Sequence, residues 1–168
     1  MIIRLLAVIA LLCLTSTAQA QNAWSAPGRA CVPADNAIGL YETGVAYVKH
    51  AATETGMITF TCQMDRFNSG TSMWNLKITY RDSTGTAVAG SVVAQVYSMA
   101  IGTATPVLLS EVNSNSSPVK ATNTLASADL NHTFDFEANT YWVRVTLRRS
   151  TTAQTVIFHS VVLDGQSA

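Results

Sequence analysis

Along Met57–Met64 apolar and polar side chains alternate. Ile58, Phe60, Cys62 and Met64 fall on one side of an extended chain, and Met57, Thr59, Thr61 and Gln63 on the other. Successive side chains of a β-strand point to opposite faces, so this period of two predicts a half-buried strand. Further along, Trp74, Leu76, Ile78 and Tyr80 alternate with Asn75, Lys77, Thr79 and Arg81. His132, Phe134 and Phe136 alternate with Thr133, Asp135 and Glu137, and Tyr141, Val143, Val145 and Leu147 with Trp142, Arg144, Thr146 and Arg148. Gln154–Leu163 is apolar on both faces over part of its length, which predicts a central or covered strand.

The turn chemistry of Asp82-Ser83-Thr84-Gly85 leads into Val88–Met99, read as the hairpin partner of the strand before it. Val107–Val112 adds a strand, and Gly39–His50 reads as one more, broken at Gly44. No stretch carries a helical period over a useful length; the nearest is a turn or two around Ala121–Leu130. Seven to eight short strands separated by turns predict an all-β chain, a single antiparallel β-sandwich of immunoglobulin-like or jelly-roll type. Periodicity leaves those two topologies open. Tyr141 opens its strand just after the turn Glu137–Thr140, where sandwich domains place a tyrosine whose hydroxyl ties a corner back to backbone.

The first residues follow different rules. Arg4, the apolar run Leu5–Leu14 and Ala18-Gln19-Ala20 form the order of charge, short apolar core and small-residue site that marks a secretory signal. The run is about half of the roughly 20 residues a membrane-spanning helix needs. Residues 1–20 are therefore expected to be a cleaved signal peptide, 21–36 an irregular N-terminal segment and 37–168 the sandwich. No later segment approaches transmembrane length, so a secreted or periplasmic protein with no membrane span after cleavage is expected.

Cleavage changes the cysteine count. Of three cysteines, Cys13 falls in the signal, and Leu12 before it is not the small residue that lipidation requires. Cys31 and Cys62 remain, an even pair in a disulfide-permissive compartment, and one bridge between them is expected. Closing that loop stabilises the fold by about 3–4 kcal/mol in the chain-entropy picture. Charge is sparse and balanced, ten basic against ten acidic residues, so nothing favours a nucleic-acid partner.

Candidate chemistry is thin. Serines abound without a G-x-S-x-G elbow, and His50, His132 and His159 are scattered, so no catalytic set is nameable. No histidine has a near companion at metal-ligand spacing, and no cofactor is implied. Asp129, Asn131, Thr133, Asp135 and Glu137 place an oxygen ligand at every second position, which makes Asp129, Asn131 and Asp135 a weak calcium candidate. Phe134 stands where a calcium loop needs glycine, and an extended row of that length spans about 26 Å, too far to converge on one ion. Two glycosylation sequons begin at Asn115 and Asn131.

Trp142 falls on the polar side of its strand beside Arg144. An exposed indole there would offer a flat face to a sugar ring. Alternatively a loop, or the N-terminal segment carrying Trp24, covers it, with Arg144 packed across its ring. The function expected is a non-catalytic module acting by surface recognition, or as a structural and assembly component of the cell envelope. Its partner is an envelope protein, a glycan or another copy of the chain. The alternative is a carbohydrate-binding module using Trp142 and Arg144. The sparsely charged strands Val88–Met99 and Gln154–Leu163 are the ones compatible with self-association through an open edge.

Overall fold

The computed structural model describes residues 24–66, 72–73, 75–128 and 130–164. The expected signal peptide, Trp74 and Asp129 lie outside them. The described chain is all-β. Its strands are β1 (Trp24–Pro27), β2 (Val32–Pro33), β3 (Tyr41–Thr43), β4 (Val48–His50), β5 (Gly56–Gln63), β6 (Ser72–Met73) and β7 (Asn75–Asp82). Then follow β8 (Gly90–Ala100), β9 (Val107–Asn113), β10 (Thr122–Ala126), β11 (His132–Thr133), β12 (Asn139–Arg149) and β13 (Val156–Asp164). Single 3-10 turns at Gly28–Ala30, Asp35–Ala37 and Ser114–Ser116 fill short connections.

Two antiparallel sheets pack as a sandwich. One has the order β10-β7-β13-β4-β3, with β1 also on β13; the other runs β2-β5-β12-β8-β9. A two-residue ribbon, β11 on β6, stands apart. The core lies between the sheets and is filled from both. Phe60, Val92, Ala94, Val96, Val145 and Leu147 come from one, and Leu76, Ile78, Tyr80, Phe158, Val161 and Leu163 from the other. The expected alternation holds along β12, where Tyr141, Val143, Val145, Leu147 and Arg149 are buried and the residues between them are not. Among the described residues, no helix is long and apolar enough to cross a membrane.

Three expectations meet a different arrangement. The turn after β7 does not fold β8 back as a hairpin, because β7 and β8 belong to different sheets. The buried Asp82 carboxylate accepts from Thr84 N (2.9 Å) and Thr84 Oγ1 (2.6 Å), and also from the Ser114 hydroxyl beyond β9 (2.7 Å). These bonds turn the chain across the sandwich. The hairpin is instead β8–β9. Both sparsely charged strands are also interior: β8 lies between β12 and β9, and β13 between β7 and the pair β4 and β1. The interior place of β13 is what its doubly apolar sequence predicts. The open edges are β9 and β10, with short β2 and β3 opposite them. Lastly, the N-terminal segment expected to be irregular contributes β1 to one sheet and β2 to the other.

The Cys31–Cys62 disulfide is present and fastens that segment to β5. Just before it, Gly28 marks where β1 gives way to β4 along the flank of β13. A Cβ there would sit 2.6 Å from the Phe158 carbonyl oxygen, so only glycine fits without a shift. The register of β13 slips between Phe158 and Ser160 at the same level.

Candidate functional site

The outer face of the five-stranded sheet holds the arrangement closest to a binding surface. In register, Trp142 of β12 stands opposite Tyr97 of β8 on one side and Gln63 of β5 on the other. All three point away from the core because their strand neighbours Tyr141, Val143, Val96, Ser98 and Cys62 point into it. Trp142 is half-buried. Its ring lies 5.6 Å from that of Tyr97, centroid to centroid, with the planes 13° apart.

The adjacent row is polar and interlocked. Arg144 donates to Gln95 Oε1 through Nε (3.1 Å) and a terminal nitrogen (2.6 Å), and also to the Tyr97 hydroxyl. Gln95 donates in turn to Glu111 Oε2 at 2.6 Å. The Arg144 guanidinium lies over the ring of Tyr97, 4.8 Å from its centroid. Arg144, expected across the Trp142 ring, lies over Tyr97 instead. Planar side chains held in this way have few conformations left to lose when a ligand arrives.

Trp24 sits on β1, with Leu163 as its register partner. It lines a cleft of about 280 Å³ together with Gln63, Asp65 and Val32. Gln63 therefore belongs both to the aromatic row and to this cleft, and its amide nitrogen donates to the Tyr141 carbonyl at 3.2 Å.

The three histidines lie in three different settings. His50 is buried, with Nε2 3.2 Å from the Gly56 carbonyl and Nδ1 without a partner. Burial lowers its pKa, and the nearby Arg149 charge adds to that. His132 packs edge-on against Phe134 and Tyr141, its Nε2 3.3 Å from the Tyr141 hydroxyl. His159 lies in the β13 irregularity beside the Tyr47 ring. Burial lowers the pKa of both. Arg149 is buried too, held by the carbonyls of Ala51, Ala52, Thr151 and Thr152.

The oxygen-bearing row has other duties. Asp135 Oδ1 accepts from Glu137 N (2.9 Å) and Ala138 N (3.1 Å), capping the turn before β12. Glu137 pairs with Arg66 at 2.8 Å, and Asn131 adopts a positive φ of 40°. Among the described residues, no group of three His, Cys, Asp or Glu side chains is placed to hold a metal ion.

Sequence reasoning singled out Trp142 and Arg144 but missed Tyr97, Gln95 and Glu111. Residues 95 and 97 share a face by strand parity, but only the register of β8 against β12 shows which face and which partners.

No family model matches the chain, and no curated protein does. Solved structures that it is similar to include a family two carbohydrate esterase from Cellvibrio japonicus, at 11% identity over 86% of this chain and 33% of that one, TM-score 0.41. PfGH50B is 13% identical over 92% of this chain and 24% of that one, TM-score 0.39. The mosquito-larvicidal Cry4Aa toxin from Bacillus thuringiensis is 13% identical over 82% and 23%, TM-score 0.31. The chain spans a third or less of each of these proteins, and likenesses this distant carry no functional argument.

Proposed function

We propose that this protein is an exported, non-catalytic recognition module that binds carbohydrate on the outer face of its five-stranded sheet. One observation carries the reading: the near-parallel rings of Trp142 and Tyr97 adjoin the hydrogen-bonded row Arg144, Gln95 and Glu111. Sugar rings combine an apolar face with a rim of hydroxyls. The indole of Trp142, backed by the stacked Tyr97 ring and set beside fixed donors and acceptors, suits both at once. The signal-like N-terminus and the Cys31–Cys62 bridge support delivery to an oxidising compartment.

The test is retention of the mature protein on a panel of immobilised polysaccharides. Trp142→Ala and Tyr97→Ala should each weaken retention about tenfold or more while the melting temperature stays within a few degrees. Undiminished retention by both variants would sink the reading.

A second reading, self-assembly, is favoured by the open edge of β9, where Val107 is 55% and Leu108 47% exposed. It requires concentration-dependent oligomers in sedimentation that Leu108→Lys removes. A strict monomer at high concentration counts against it.

A further inference from the structure

We infer that the ligand is a linear, uncharged chain of linked sugars, lying across the strands, and that the Trp24 cleft takes its far end. The inference rests on the carbohydrate reading above and adds the length, direction and charge of the ligand.

Length and direction follow from register. Tyr97, Trp142 and Gln63 are cross-strand partners on three adjacent strands, β8, β12 and β5. Neighbouring strands lie about 4.8 Å apart, so this row extends roughly 10 Å perpendicular to them. The row does not stop at Gln63, which is also a wall of the 280 Å³ cleft that Trp24 lines. Trp24 itself belongs to the other sheet, opposite the buried Leu163, so this cleft opens where the two sheets meet, next to Gln63. A single sugar would occupy one part of this path and leave the rest unused. Gln63 sits at the junction with its amide nitrogen bound to the Tyr141 carbonyl, which fixes the side chain and leaves its oxygen to accept from a ligand hydroxyl.

Charge follows from the lining. Among the described residues, the cleft is lined by the Asp65 carboxylate and by no lysine or arginine. On the sheet face Arg144 donates through Nε and one terminal nitrogen to Gln95 and Tyr97, and Gln95 is bound to Glu111, so the cation lies in a row that also carries a carboxylate. A uronic-acid or sulfated chain would bring negative charge against Asp65, with no cation among those lining residues to receive it. A neutral chain meets Asp65 as a hydroxyl acceptor.

The experiment is titration calorimetry of the mature protein with neutral gluco-, xylo- and manno-oligosaccharides, from monosaccharide to hexasaccharide, beside an oligogalacturonate series. Affinity for one neutral series should rise about tenfold or more with length and then level off, with the acidic series weaker. In Trp24→Ala and in Asp65→Asn the rise should flatten. Asp65 is exposed, so its variant remains informative if Trp24→Ala unfolds. Affinity independent of length, or acidic chains binding best, overturns the inference; if Trp142→Ala still abolishes that binding, the carbohydrate reading stands without it. No binding in any series overturns both.

Discussion

At the scale of single residues, the buried polar groups govern stability. Asp82 is fully buried and serves Thr84 and Ser114, and the Ser114 hydroxyl in turn accepts from Val92 N at 2.9 Å. Asp82→Ala strands these donors in the interior and should cost about 3 kcal/mol in urea denaturation. Tyr141→Phe should cost about 1–2 kcal/mol, since it removes the hydroxyl that accepts from Asp135 N at 3.1 Å. The histidines set the pH response. Burial lowers the pKa of His50, His132 and His159, so between the folded and unfolded values the unfolded chain binds protons that the fold refuses. Their contribution is fully present above the unfolded value of about 6.5 and is lost as pH falls through the lowered folded values. Melting temperature should therefore drop on acidification below about pH 6.5, and His50→Gln should make that drop shallower.

At the scale of elements, the close approach at Gly28 is the sharpest constraint. Gly28→Ala should destabilise by about 1–3 kcal/mol, as read from denaturant midpoints, because the added methyl meets the Phe158 carbonyl and not a yielding side chain. What the sequence revealed depends on where its information lies. Strands β5 and β12 were legible because each has one buried face, and their alternation writes that face into the chain. The corner tyrosine was legible because its place beside the turn is local, and its hydroxyl does bond to backbone just upstream. The interior place of β13 showed in its apolar residues on both faces. Strand partnership was not legible. Whether the chain after Asp82 returns as a hairpin or crosses the sandwich is decided with Ser114, 32 residues away. The same limit applied to the candidate site: Trp142 stood out by its own polar surroundings, whereas Tyr97 became its neighbour only through register.

At the scale of the whole molecule, the proposed recognition face lies outside the five-stranded sheet and the Asp82 network lies in the interior, so binding and folding should be separable by mutation. Loss of the disulfide belongs with folding: Cys31→Ala with Cys62→Ala should lower stability by about 2–5 kcal/mol, measured by thermal or urea unfolding, because it frees the N-terminal segment from β5. Strand β1 ties the two ends of the described chain together. Trp24–Pro27 finds its partners at Ser160–Leu163, so the opening strand is completed by the closing one. In a chain exported as proposed, threaded through a translocation pore from its N-terminus, β1 emerges and waits. The sheet cannot close until Ser160–Leu163 has followed it through. The order of threading thereby holds back closure of this sheet until its last strand, β13, has emerged.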